Sequence, residues 1–145
     1  MDFFSSMNVS SSALTAERTR MNLISGNLAN ANATRTPEGG PYKRKDAVFG
    51  ATQAENRFGR TLDRAVAQDV RQVEVVSIVE DQNPPRMVYD PNHPDADAKG
   101  YVAMPNVNVV EEMADMINAT RAYEANVTAV QAAKSMAMKT LDIGR

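Results

Sequence analysis

A chain of 145 residues with a formal net charge of -2 has room for one ordinary domain and shows no bulk attraction to nucleic acid or acidic lipid. Its 43% hydrophobic content leans on alanine, aromatics make up 6% and tryptophan is absent, so any core is modest. With no cysteine, disulfides, zinc–thiolate clusters and thiol nucleophiles are excluded.

The charge is uneven. Up to Gln72 there are ten basic and seven acidic side chains; beyond it there are six and eleven. The two parts can therefore attract each other, within one chain or between copies, although exposed charges contribute little singly. The opening Met-Asp-Phe-Phe-Ser-Ser lacks the basic region and apolar run of a secretory signal, and no stretch approaches the roughly 20 apolar residues of a membrane span. The expectation is a cytoplasmic protein, or one exported without a cleaved signal.

In chain order, the first expected element is a helix over 4–31. Met7, Leu14, Met21 and Leu28 recur every seven residues, with Ile24 and Ala31 between them. Its opening is weak because Ser5, Ser6, Ser10, Ser11 and Ser12 compete for backbone hydrogen bonds, and Ser10 and Glu17 occupy seam positions. It is expected to fray in the isolated chain and to be completed by partners. The helix should end in Asn27-Leu28-Ala29-Asn30-Ala31-Asn32, since asparagine tolerates left-handed backbone and bonds nearby backbone groups.

Thr36-Pro37-Glu38-Gly39-Gly40-Pro41 forces a loop. Residues 47–49 read as a short strand, and 51–72 as a loop or short helix. The β-branched run 73–80 is the strongest strand, and Asn83-Pro84-Pro85 is expected to turn it back onto 86–89 as a hairpin. A third extended piece, 100–104, leads into the dominant element, a helix over 108–141. Pro105 blocks helix before it, Asn108 is a candidate N-cap, and Glu111 stands at the spacing of a capping box. Counting four and three from Val109 gives Val109, Met113, Met116, Thr120, Tyr123, Val127, Val130, Lys134, Ala137 and Leu141, a seam suited to another helix. Small residues such as Ala119, Ala122, Ala125, Ala129 and Ala133 let neighbours approach on further sides.

The expected architecture is thus mainly α with a small β-rich middle. An N-terminal helical arm (1–34) and a C-terminal helical arm (107–145) pair as a coiled coil around a middle segment (35–106) of loop and short strands. The helix-packing interface is assigned to Leu14, Met21, Ile24, Leu28, Val109, Met113, Met116, Val127, Val130 and Leu141.

Catalytic chemistry finds little footing. Asp90, His93, Asp95 and Asp97 cluster, but counting an EF-hand loop from Asp90 puts Pro94 at position 5 and Tyr101 at position 12, where oxygen ligands are required. A single histidine between prolines reads as a turn residue. Lys43, Arg44 and Lys45 beside Tyr42 read as a solvated loop or a contact to an acidic neighbour, and Gly39-Gly40 precedes a proline, not a phosphate-cradling helix. No catalytic, cofactor-binding or metal-ligating residue is nominated. Glu74 and Glu80 guard the ends of the aggregation-prone valine run.

Three stretches carry a family resemblance: Asn27-Leu28-Ala29-Asn30-Ala31-Asn32; Tyr89-Asp90-Pro91 through His93-Pro94-Asp95-Ala96-Asp97 to Gly100-Tyr101-Val102; and Pro105-Asn106-Val107-Asn108-Val109-Val110-Glu111-Glu112-Met113. Through them the chain resembles the bacterial flagellar rod and hook family over nearly its whole length. The first is similar to a motif shared by flagellar axial proteins. The other two, with the short spacer from Thr34 to Tyr42, are similar to one member, a proximal rod subunit. Residues 51–72 depart from the family in being more charged. On this resemblance the motif residues are Asn27, Asn30, Asn32, Pro105, Asn106 and Asn108. It implies a structural subunit without cofactor or small-molecule substrate, whose paired helices build an inner tube around an export channel. The implied partners are other proximal and distal rod proteins, a rod-base adaptor, the inner-membrane ring region and further copies of the chain, with no nucleic acid. The implied place is the periplasm, reached through the flagellar type III apparatus, and the role is transmission of torque. Two other readings compete: a cell-wall hydrolase acting at Asp90 to Asp97, and a soluble coiled-coil adaptor docking one partner through the last helix.

Overall fold

A computed structural model describes residues 3–53 and 71–143. Two helices, α1 (Phe3–Ala29) and α2 (Val109–Ile143), flank four strands: β1 (Lys45–Gln53), β2 (Arg71–Glu80), β3 (Arg86–Tyr89) and β4 (Tyr101–Met104). The fold is mainly helical with a small antiparallel insert, as the sequence predicts. The reading of 51–72 falls largely outside the described residues; its ends belong to β1 and β2.

The helices start and stop for local reasons. Asn108 caps α2, its Oδ1 accepting the Val110 N–H at 3.1 Å while its carbonyl accepts from Glu112 N. At the end of α1, the Gly26 carbonyl accepts from Asn30 twice, from its backbone N–H at 3.1 Å and from its side-chain amide at 2.9 Å, which closes the last turn. Asn27 faces Glu112 and Met21 faces Thr120, so the helices run antiparallel. At about 1.5 Å per residue the 35 residues of α2 span roughly 52 Å, longer than α1.

Strand pairing differs from the sequence reading. β2 pairs with β1, from Lys45 opposite Glu80 to Gln53 opposite Arg71, and β3 pairs with β4. Asn83-Pro84-Pro85 is therefore a link between two hairpins and not the turn of one. The prolines have no N–H for a turn to use, and Asp81 instead holds Asn83 N through its side chain at 2.9 Å. The nine residues of β1 exceed the expected 47–49 because Lys45, Asp46, Thr52 and Gln53, poor strand formers or polar, are carried by the ladder. At Gly50 a Cβ would stand 2.4 Å from a methyl of Val76, the β2 residue that the bulge leaves without an opposite, so glycine makes room for that side chain.

The sheet insert is fastened to α1 by Ser12, which accepts the Val73 N–H while donating to the Val9 carbonyl, and by Arg20, stacked 4.3 Å over the Phe49 ring. One of the serines that weaken the isolated helix, Ser12, thus serves a tertiary contact. The residues from Asp90 to Gly100 close the second hairpin. The Asp97 carboxylate accepts from Lys99 N and Tyr101 N, Asp90 accepts from Asn92 N, and Tyr89 packs edge-on against Tyr101 at 5.3 Å. Gly100 has φ +81, and an added Cβ would lie 3.0 Å from the Tyr89 ring. Gly100→Ala is expected to destabilise the chain by about 2 kcal/mol through left-handed strain and the clash, measured by urea unfolding; an unchanged midpoint would remove that role.

Candidate assembly interface

The deepest side chains collect where the arms meet the insert. Asn27, Glu112, Val102 and Pro105 are the largest fully buried residues, with Ala31 and Val107 around them. Asn27 and Glu112 are each 1% exposed, so their polar atoms require partners. Asn27 Nδ2 donates to the Lys45 carbonyl at 2.9 Å and to Glu112 Oε2 at 3.0 Å, while Oδ1 accepts from Lys45 N at 2.9 Å and the Tyr42 hydroxyl at 3.0 Å. Every donor and acceptor of the amide is used. Glu112 Oε1 accepts from Arg44 Nε at 2.5 Å, and Arg44 also reaches Asp46 at 3.3 Å and Asp115 at 3.8 Å.

One amide thereby ties the last turns of α1, the start of β1 and the first turn of α2. The spacer delivers its partners: Tyr42 N returns to the Ala33 carbonyl, and Gly39 and Gly40 take φ +89 and +82 to fold the intervening residues back. Partial burial raises the Tyr42 pKa, opposed by Lys45 and reinforced by Glu112, so its phenol stays protonated and able to donate to Asn27. Burial works to lower the Arg44 pKa, but the hydrogen bond and charge of Glu112, with Asp46, outweigh it and hold the guanidinium above its ordinary value.

The motif asparagines divide the work. Asn27 is the clamp, Asn30 a helix-end cap, and Asn32 exposed; Pro105 is buried, whereas Asn106 and the capping Asn108 are exposed. The aspartate–histidine cluster is occupied in holding loop backbone and in fastening the loop to the end of the first arm. Thr34 Oγ1 donates to Asp95 Oδ2 at 2.8 Å, Arg35 stands 3.7 Å from Asp95, and His93 Nδ1 accepts from Asp95 N.

Along the arms, Ala16, Ile24, Ala119 and Ala133 are buried, and Met7, Leu14, Met21, Leu28, Met116, Tyr123, Val127, Val130 and Ala137 are half-buried. Val109, Met113 and Leu141, counted into the same seam from sequence, are 45%, 55% and 71% exposed. The face of α2 against α1 instead runs through Glu112, Met116, Ala119, Tyr123, Val130 and Ala133, because pairing begins at the clamp and not at the first apolar residue of the helix. Glu112 and Arg44 escaped sequence reasoning as a pair. The available signal was the position of Glu112 one turn before Met116 on that face, together with a basic run beside a tyrosine.

On the other side of α2, Val110, Met113 and Ile117 form an exposed apolar patch, and Met136, Met138 and Leu141 are exposed near its end. Contiguous exposed apolar side chains of this kind suit protein contacts; among the described residues no helix is long and apolar enough to cross a membrane.

Asn27→Ala leaves the Tyr42 hydroxyl, both backbone groups of Lys45 and a Glu112 oxygen short of a partner. At about 1–3 kcal/mol for an unsatisfied buried group, its loss should exceed that of Asn30→Ala by at least about 2 kcal/mol in chemical denaturation; equal effects would remove the clamp from its central position.

Comparison with known proteins follows the same anatomy. The family model described as flagella basal body rod protein matches residues 7–35, spanning most of α1 and the asparagine motif. The one described as flagellar basal body rod FlgEFG protein C-terminal matches residues 98–143, spanning β4 and α2. The chain is 48% identical to the flagellar basal-body rod protein FlgC of Borreliella burgdorferi, covering 99% of this chain and 98% of that one. It is 44% identical to FlgC of Bacillus subtilis over the full length of both, and 41% identical to FlgC of Salmonella typhimurium over 95% of each. The chain belongs to the FlgC family of flagellar basal-body rod proteins, structural subunits of that rod.

Proposed function

We propose that the two arms pack side by side with those of neighbouring subunits into a helical tube around an export channel, in the proximal part of the rod. The periplasm is its site, torque its load, and other rod proteins, the rod base and further copies of the chain its neighbours. The carrying observation is the 35-residue α2, whose outward Val110, Met113 and Ile117 are exposed and have no cover among the described residues. Burying each such side chain contributes roughly 1.5–3 kcal/mol. The interface residues inferred from sequence then divide into two groups. Leu14, Met21, Ile24, Leu28, Met116, Val127 and Val130 hold the arm together, and Val109, Met113 and Leu141 meet neighbours. The absence of cysteine and the sparse apolar core suit passage through a narrow channel unfolded and without a cleaved signal, with the arms (1–34 and 107–145) and middle segment (35–106) assembling afterwards.

Two measurements test this reading. The protein should copurify with detergent-extracted hook and basal bodies, whereas a wholly soluble protein in motile cells would favour the adaptor reading. Ile117→Asp, at an exposed position, should leave the helical circular dichroism of the chain unchanged yet lower its recovery in basal bodies at least tenfold; normal recovery would remove the outward patch from the assembly.

A further inference from the structure

Among the described residues, the antiparallel register leaves the end of α2 without a partner. With Asn27 opposite Glu112 and Met21 opposite Thr120, the first turn of α1 falls opposite the segment around Met138, and Leu141 lies beyond it. Met138 and Leu141 are accordingly exposed, although Leu141 continues the side of α2 that α1 covers elsewhere. Lys134 and Lys139 flank them, and neither makes an ion pair among the described residues.

At the other end of the arm, a groove of about 230 Å³ opens between α1, β1 and α2 beside the clamp. Leu23 and Ile24 give it apolar wall, Asn118 and Asp115 border it on α2, and Arg44 and Asp46 on the β1 side. Two of its cations are already paired with carboxylates nearby, Arg20 with Glu17 and Lys45 with Glu80. Arg44 alone then faces Glu112, Asp46 and Asp115, so the groove keeps a surplus of negative charge. Glu111, one turn before Asp115 on the same stripe of α2, is exposed, makes no ion pair among the described residues and adds to that surplus.

We propose that this groove receives the end of α2 from a second copy of the chain. Met138 or Leu141 of the incoming helix covers Leu23, beside the already buried Ile24, and Lys134 and Lys139 approach Glu111 and Asp115. Groove and helix end lie at opposite ends of one arm, so the contact is heterologous: each copy offers one and receives the other, and repetition builds an open helical array instead of a closed dimer. The inference deepens the reading of the chain as an axial rod subunit and rests on it.

Because the chain has no cysteine, pairs introduced by substitution report on this contact without background. Cells co-expressing Asn118→Cys and Met138→Cys copies should yield, from basal bodies treated with oxidant, a dimer on a non-reducing gel that neither variant gives alone. The double variant in one chain should yield a ladder. The two positions are 20 residues apart on one helix, roughly 30 Å, so a cross-link within one copy is impossible. Basal bodies containing both variants but no cross-link overturn the proposal while leaving the rod assignment standing; wild-type protein absent from basal bodies overturns that assignment itself. Should the cysteine variants fail to assemble, charge exchange decides. Lys139→Glu is expected to lower incorporation at least fivefold and Glu111→Lys in the same chain to restore it, and a double variant no better than the single one overturns the contact.

Discussion

The arrangement of this chain depends on one buried amide. Asn27 sits where solvent cannot serve it, and its four hydrogen-bonding capacities are met only when α1, β1 and α2 occupy their places together. Its bond to Glu112 joins residues 85 apart in sequence, which makes closure of the arms a non-local event that follows synthesis of nearly the whole chain. The carboxylate it holds is in turn shared with Arg44, so a single desolvated cluster links motifs from both ends of the molecule and from the spacer between them. An ion pair of this kind adds little net stability, because desolvation offsets much of the attraction, but removing one member strands the other.

Away from the clamp, cohesion thins. The arm contact rests on small residues, Ala16, Ala119 and Ala133, with Ile24 as the one large aliphatic buried there among the described residues. Small side chains let the helices approach closely and contribute little buried area each. The larger apolar residues of α2 are divided between half-covered positions facing α1 and exposed positions facing away. A chain built this way keeps much of its association energy for contacts outside itself, in keeping with membership of a family whose members assemble.

Much of the fold was legible because its signals are local. Pro105 and Asn108 mark the start of α2, the period-seven methionines and leucines mark α1, and the valine run marks β2; each element lies within a few residues of where the sequence puts it. Pairing was not legible, since a strand's partner is decided by tertiary docking. The proline-rich link after Glu80 looks like a turn from sequence, and only the ladder from Lys45 to Glu80 shows that β2 is already satisfied by a strand upstream. The seam of α2 failed at its ends for a related reason. A heptad count starting at Val109 presumes that α1 lies alongside from the first turn, whereas the clamp fixes the register around Glu112 and leaves Val109, Met113 and Leu141 outside. The asparagine motif was recognisable as a pattern, but the separate duties of Asn27 and Asn30 depend on which of them the helix end turns inward.

A polar clamp suits this architecture better than an apolar one because the rest of the arm specifies its own alignment weakly. Seams of alanine, valine and methionine with a seven-residue period look much alike after a slip of one heptad, about 10 Å along the axis. An apolar residue at position 27 would pack acceptably in either register. The amide does not, because a slip leaves its partners in Tyr42, Lys45 and Glu112 unsatisfied, at roughly 1–3 kcal/mol for each buried group. Directional bonds at one end therefore set the register of the whole 35-residue helix, and with it the position of every side chain that α2 turns outward. The surface a neighbour meets tens of ångströms away is fixed by hydrogen bonds it never touches.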